Sequence, residues 1–87
     1  MRYKVELRHA AQKQLDALPE LDYKAIARTI SQLTQKPRPP RVKKLAESGL
    51  WRIRVKKYRV VYAIDDEAQL ITIVRIARRK EDTYKSL

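Results

Sequence analysis

Residues 51–64 constrain the fold most, because they carry the pattern of two adjacent β-strands. In residues 51–56, three apolar side chains alternate with three basic ones: Trp51, Ile53 and Val55 against Arg52, Arg54 and Lys56. Successive side chains of a strand point to opposite faces. Residues 58–64 predict a second strand, rich in β-branched and aromatic residues, with Arg59 inside an apolar run. We therefore predict a sheet with one face toward a core and one face carrying guanidinium groups, which favours a phosphate ligand.

The N-terminal third predicts a strand followed by a helical hairpin. Residues 2–8 alternate apolar and polar side chains, as a short strand does. A helix opens at His9, has apolar residues at helical spacing and is stopped by Pro19. A second helix is predicted over residues 22–35, with Ile26, Ile30 and Leu33 on one stripe. The short connection between the helices requires that they fold back on each other.

The rest of the chain predicts an antiparallel meander. Prolines in residues 37–40 end the second helix, and residues 41–48 form a basic loop with Leu45 as its apolar anchor. Gly49, the only glycine, is placed at the turn before strands 51–56, 58–65 and 69–78. Their short connections indicate hairpins. The order is β-α-α-β-β-β, an α+β fold in a single small domain spanning residues 1–87, with the helical hairpin packed on a mainly antiparallel twisted sheet.

The charge of the chain is high and uneven. It has 21 Lys and Arg against 10 Asp and Glu, a net charge of +11. The stretch from Lys36 to Arg59 contains ten basic residues and one acid, Glu47. Clustered positive charge is typical of proteins that bind nucleic acid or acidic proteins. A surface kept basic only for solubility is the alternative, but such a surface would mix both signs.

The composition excludes several kinds of chemistry. With no cysteine and only His9, the chain has no disulfide, thiolate zinc site, thiol nucleophile or histidine pair. We expect no cofactor and no metal. Residues 1–6 lack the apolar run of a signal peptide, and no run is long enough to span a bilayer, so we expect a soluble cytoplasmic protein.

Arg, Lys and Tyr remain as the groups available for chemistry. They can bind a polyanion, stabilise a pentacovalent phosphorane and protonate a leaving oxygen. Cleavage of RNA by its own 2′-hydroxyl needs little more, because the substrate supplies the nucleophile. DNA lacks this hydroxyl, so the same residues could only bind it.

Residues 50–55 and 58–62 resemble the central strands of RelE/ParE-superfamily toxins of bacterial type II toxin–antitoxin pairs. Residues 76–84 are similar to the ending of that family, and the resemblance covers nearly the whole chain. It implies a RelE-like fold, an acidic cognate antitoxin as partner and, for the RelE branch, ribosome-dependent cleavage of mRNA in the A site. The ParE branch, which poisons DNA gyrase, shares the scaffold and remains an alternative, as does a non-catalytic RNA-binding module.

The resemblance also implies a catalytic set: Arg52, Arg54, Arg59, Arg79 and Tyr84. Arg59 matches the arginine that stabilises the transition state, Arg79 the one that protonates the leaving 5′-oxygen, and Tyr84 a terminal tyrosine near the nucleotide. ParE-like chains generally lose the ending with Arg79 and Tyr84. Relatives often have lysine where this chain has Arg52 and Arg54, and a guanidinium does not lose its proton to become a free general base. Either Lys56 or another lysine is the general base, or base catalysis is weak and stabilisation of the transition-state charge provides most of the rate enhancement.

Six further basic residues are predicted to bind RNA around this set: Lys43, Lys44, Lys56, Lys57, Arg78 and Lys80. The aromatic residues Trp51, Tyr58 and Tyr62 are expected in the core rather than stacked on a base.

Overall fold

Two helices and five strands follow one another in the computed structural model, which describes residues 2–78. Their bounds are β1 Lys4–Leu7, α1 His9–Asp16, α2 Glu20–Leu33, β2 Lys43–Lys44, β3 Trp51–Val55, β4 Tyr58–Asp65 and β5 Leu70–Arg78. The strands form one sheet in the order β1-β5-β4-β3-β2. The parallel pair β1–β5 joins the two ends of the described chain, and all other neighbours are antiparallel. The predicted α+β fold is confirmed.

One strand was missed, because residues 41–48 were predicted to be loop throughout. Lys43 and Lys44 pair with Arg52 and Trp51 as the short edge strand β2. Two consecutive lysines carry no alternation, so only the partner strand reveals this pairing. The connection to β3 is closed by Gly49, whose φ of 75° lies in the left-handed region that glycine adopts without strain.

The second helix begins at Glu20, earlier than residue 22, where the sequence pattern placed its start. Pro19 precedes it directly, and its fixed φ suits the entry into a helix. Glu20 and Asp22 lie in the first turn, where carboxylates stabilise the positive end of the helix dipole.

The core lies between the two helices and one face of the sheet. Its members come from both layers: Ala11, Leu15, Ile26, Ile30 and Leu33 from the helices, and Ile53, Val55, Tyr58, Val60, Tyr62, Ile71, Ile73 and Ile76 from the strands. Tyr62 is fully buried and Tyr58 nearly so, which confirms the core assignment of both. Trp51 is only half-buried and packs at the border of the core. Neither of the two described helices packs on the opposite face of the sheet, which we call the open face.

A β-bulge interrupts the pairing of β4 with β5. Val61 pairs with Arg75 and Tyr62 with Ile73, so Val74 is an extra residue on β5. The bulge reverses the alternation of β5, which turns Ile76 to the core and Arg75 to the open face. On the core side, the Ile76 amide donates a hydrogen bond of 2.7 Å to Oε1 of Gln14 on α1. The helix thereby holds the bulge.

Candidate phosphate-binding face

The open face of the sheet carries a cluster of basic side chains from four adjacent strands. We call these five residues the basic face: Lys43, Arg52, Arg54, Arg59 and Arg75. Their common orientation follows from cross-strand pairing, because residues directly opposite each other point to the same side of a sheet. One row runs from Lys43 through Arg52 and Val61 to Arg75. The next row places Arg54 beside Arg59.

Arg59 lies at the centre of this face and is half-buried. It is opposite Arg54 on one side and Ala77 on the other. Its Nε is buried and has no hydrogen-bond partner among residues 2–78. A buried donor without an acceptor costs about 1–3 kcal/mol, and like charges directly opposite each other in a sheet are also destabilising. Both costs fall when an anion is bound.

The residues between the basic groups of this face have short, uncharged side chains. Val61, Ala63, Thr72 and Ala77 share the open face and carry short side chains. Within the described part of the chain, the ion pairs Lys24–Glu20, Arg38–Asp66 and Lys56–Asp22 involve none of Lys43, Arg54, Arg59 and Arg75. The arrangement leaves room for a polyanion to lie across the strands.

A shallow pocket of about 270 Å³ extends the basic face beyond the edge of the sheet. It is lined by Arg41 and Val42 of the incoming segment together with Lys43, Arg52 and Arg54. Arg41, which was not among the predicted site residues, thus adds one more guanidinium at this border.

The structure brings only some of the predicted site residues together. Arg52, Arg54, Arg59 and Lys43 share the basic face. Lys44 points to the other side, where its Nζ lies 5.6 Å from the Trp51 ring centroid. Three predicted residues, Arg79, Lys80 and Tyr84, lie outside the described residues.

The placement of Lys56 on the open face is wrong. Its φ of 54° in the β3–β4 turn breaks the strand alternation. Its Nζ instead lies 3.9 Å from Oδ1 of Asp22 on α2. An ammonium held beside a carboxylate on the helical side cannot take part in chemistry on the basic face. Lys57 is exposed in the same turn.

Arg78 also points away from the basic face. It pairs with Tyr58, so the two side chains lie on the helical side of the sheet. There the Tyr58 hydroxyl donates a hydrogen bond of 2.8 Å to Oδ2 of Asp22. This hydrogen bond to the carboxylate raises the pKa of Tyr58, and the nearby Arg78 charge partly opposes the shift.

Arg75 is the basic-face residue that the sequence interpretation missed. Uninterrupted alternation from Ile71 and Ile73 would have turned Arg75 toward the core. The spacing of the isoleucines at 71, 73 and 76 is compatible with a bulge, but it does not show which residue of the strand is the extra one.

A second polar cluster fixes the proline-rich segment to the sheet. Arg38 donates two hydrogen bonds to the Asp66 carboxylate, at 2.9 and 3.3 Å, and Tyr3 donates a third of 2.7 Å. The hydrogen bonds from Arg38, and to a smaller extent the one from Tyr3, hold the pKa of Asp66 below its usual range. The Arg38 guanidinium also lies 5.1 Å from the Trp51 ring centroid. The Tyr62 hydroxyl donates to the Pro37 carbonyl at 2.7 Å, and burial raises the pKa of Tyr62 to about 12.

Within residues 2–78, no group of three His, Asp or Glu side chains lies close enough to hold a metal ion. Neither helix in this range is long and apolar enough to cross a membrane.

Comparison with known proteins identifies the class of this chain. The sequence model of the family described as the ParE toxin of the type II toxin–antitoxin system parDE matches residues 5–83. The chain belongs to this toxin family. No curated protein matches the toxin in sequence.

Solved structures place the toxin within the wider RelE/ParE superfamily. It is 29% identical to a chain in the RelE–RelB complex of the archaeon Pyrococcus horikoshii, with a TM-score of 0.83 and coverage of 93% of the toxin and 99% of that chain. It is 28% identical to a chain in the RelBE2 toxin–antitoxin complex of Mycobacterium tuberculosis, with a TM-score of 0.79 and coverage of 91% and 100%. An Escherichia coli RelE variant bound to a RelBc antitoxin peptide shares the fold, at 18% identity, TM-score 0.83 and coverage of 100% and 96%.

Proposed function

We propose that this toxin is a ribosome-dependent endoribonuclease that cleaves mRNA in the ribosomal A site, in the cytoplasm. The observation that carries the proposal is the environment of Arg59. This arginine is half-buried, and its Nε has no hydrogen-bond partner within residues 2–78. Further guanidinium groups lie beside it, with Arg54 directly opposite. The resemblance of residues 50–62 to RelE strands supports it. So does the identity of 28–29% to chains of two RelE-type complexes.

In the proposed reaction, the 2′-hydroxyl oxygen of the RNA attacks the adjacent phosphorus. The O2′–P bond forms while the 2′-hydroxyl proton passes to a base or to water. The P–O5′ bond breaks, the leaving 5′-oxygen takes up a proton, and the products are a 2′,3′-cyclic phosphate and a 5′-hydroxyl. Arg59 is suited to stabilise the charge that develops on the phosphorane oxygens. Arg52 and Arg54 hold the phosphate, while the resemblance assigns protonation of the leaving oxygen to Arg79 and nucleotide orientation to Tyr84.

The basic face offers no general base beside Arg59 for the 2′-hydroxyl proton, because its one lysine, Lys43, lies two strands away on the edge strand β2. A guanidinium is already protonated at neutral pH and cannot accept this proton, and Lys56 lies beside Asp22 on the other side of the sheet. Catalysis then depends on charge and on alignment of the 2′-hydroxyl with the scissile phosphate. We therefore expect the ribosome to supply the alignment, and cleavage of free RNA to be very slow. The mechanism needs no metal and no cofactor.

Inhibition of DNA gyrase is the second candidate function, and the match to the parDE toxin family favours it. Expression in a bacterial host separates the two. The nuclease predicts arrested translation and cuts within mRNA codons, whereas gyrase poisoning predicts filamentous cells and DNA damage with intact mRNA. RNA that is bound but not cut would indicate a non-catalytic binding module.

The chemical groups at the ends of the cleaved RNA provide the decisive measurement. Cleavage of mRNA on purified ribosomes should leave 2′,3′-cyclic phosphate and 5′-hydroxyl ends. Chelating metals with EDTA should change the rate only as far as it affects the ribosome itself. Products with 3′-hydroxyl and 5′-phosphate ends would contradict the mechanism.

We further propose that an acidic antitoxin segment neutralises the toxin. The archaeal and mycobacterial relatives are complexes of toxin with antitoxin, and the toxin carries a charge of +11. A largely disordered acidic segment that folds on contact suits such a surface. Its Asp and Glu side chains should lie near Arg52, Arg54 or Arg79.

A further inference from the structure

We propose that Arg75 forms a second phosphate subsite, which binds the RNA phosphate next to the scissile one. This inference rests on the proposed nuclease function. It concerns a residue that neither the strand pattern nor the resemblance to RelE/ParE toxins assigns to the site. The bulge at Val74 is what turns it to the basic face.

Arg75 lies close to Arg59 on the basic face. Arg75 lies directly opposite Val61, and Arg59 is two residues from Val61 on β4. Diagonal neighbours of this kind in a sheet have Cα atoms about 7–8 Å apart. That separation is comparable to the distance between neighbouring phosphates of a single RNA strand. With Arg59 at the scissile phosphate, Arg75 is therefore within reach of the next one.

The surroundings of Arg75 leave its guanidinium accessible to a ligand. Its side chain is exposed and has no ion-pair partner among residues 2–78. The acid of β1 on the same face, Glu6, pairs with Thr72 in the sheet register rather than with Arg75. The nearest cross-strand side chain is the apolar Val61. An arginine in such a position can donate its hydrogen bonds to a ligand without breaking an existing contact.

Contacts on the core side of the sheet fix the orientation of Arg75. A bulged strand could slip in register, and a slip of one residue would turn Arg75 toward the core. The hydrogen bond from the Ile76 amide to Gln14 holds the residue that follows Arg75 from the helical side. Ile76 is itself buried, which opposes the slip further. Arg75 thus stands on a fixed part of the scaffold.

The test is single-turnover cleavage of mRNA on programmed ribosomes, with the toxin in excess and its concentration varied. Arg75→Gln should raise the half-saturating toxin concentration roughly fivefold to tenfold, as expected for loss of one charge-assisted contact. The maximal rate should stay within about twofold, because a neighbouring phosphate is not the reacting one. The slope of log affinity against log salt should fall by about 0.7, the value for one single-strand phosphate contact. Arg75→Lys should restore part of the affinity.

Arg28→Gln is the matched control, since it removes the same charge from an exposed position on α2. Arg78→Gln tests the bulge, because Arg78 is on the same strand as Arg75 but its side chain lies on the helical side of the sheet, away from the basic face. If Arg75→Gln behaves like Arg28→Gln while the wild type cleaves, the inference alone is overturned. A loss of maximal rate without a change in half-saturation would also overturn it. If the wild type does not cleave, the nuclease proposal is overturned and the inference with it.

Discussion

Arg54 and Arg59 lie directly opposite each other on β3 and β4, so two positive side chains of adjacent strands share one place on the open face. No ion pair within residues 2–78 involves either of them. A pair of like charges in this position destabilises the free toxin. An anion bound between the two guanidinium groups would relieve this repulsion.

Arg54→Gln should stabilise the free toxin. The substitution removes the repulsion across β3 and β4, which is worth about 0.2–1 kcal/mol of unfolding free energy at low ionic strength. Because Arg54 is exposed, salt screens the repulsion and the difference should shrink as salt is added. Denaturant unfolding of both proteins from low to high salt measures it. A variant that is less stable than the wild type at low salt would disprove the repulsion.

Arg59→Ala should abolish or severely reduce toxicity while the fold remains intact. Removing a preorganised positive charge from a developing oxyanion costs about 10²–10³ in rate. Arg79→Ala should act similarly, on the role that the family resemblance implies. Growth arrest at matched expression levels is the measurement, and Arg28→Ala on the exposed side of α2 serves as the control. Full toxicity of both variants would show that the assigned site is incorrect.

Tyr58→Phe should destabilise the toxin by about 1–2 kcal/mol without altering its cleavage chemistry. The Tyr58 hydroxyl donates to Asp22, whose side chain is only 14% exposed, and a hydrogen bond to a buried charge is among the stronger kinds. Tyr23→Phe, on the same helix but 40% exposed, is the control and should have little effect. Equal unfolding free energies for the two variants would show that the hydrogen bond from Tyr58 to Asp22 does not stabilise the fold.

Tyr62→Phe should change how stability depends on alkaline pH. The pKa of Tyr62 rises from 10.0 to about 12 on folding, since its buried phenol resists ionisation. Between these values the unfolded chain loses the proton while the folded chain keeps it. Wild-type stability should therefore fall as pH rises above 10, by up to about 1.4 kcal/mol per pH unit from this group. The variant should lack that part of the slope. Parallel unfolding free energies of the two proteins from pH 9 to 12 would contradict the assignment.

Association with the cognate antitoxin should be fast and should slow as salt is added. Exposed charges are screened over about 8–10 Å at physiological ionic strength, so the attraction between an acidic segment and the basic face weakens. Apolar contacts should set the dissociation rate. Stopped-flow measurements over a range of salt concentrations give both rates. An association rate that does not respond to salt would rule out electrostatic attraction.

The strands 51–55 and 58–65 could be predicted from the sequence because alternation is local. Each residue's face depends only on its position in the strand, so Arg52, Arg54 and Arg59 were assigned to one surface without tertiary information. Burial of Tyr58 and Tyr62 followed in the same way. The roles proposed for these arginines, and for Arg79 and Tyr84 outside the described residues, come from the family resemblance alone.

Other features of the site depend on contacts between distant parts of the chain. The short strand at Lys43–Lys44 exists because β3 offers it hydrogen-bond partners. Lys56 leaves the open face because its turn adopts a positive φ and Asp22 of α2 attracts its ammonium.

The sequence by itself therefore determined the α+β class, the positive charge and the core of the basic face, since these depend on composition and on local periodicity. Only the tertiary structure decided that Arg75 belongs to that face. The bulge at Val74 has to satisfy three conditions together: burial of Ile76, an acceptor for its amide at Gln14, and pairing of Arg75 with Val61. Those partners are far apart in the chain, so the pattern of apolar and polar residues within β5 does not reveal these contacts.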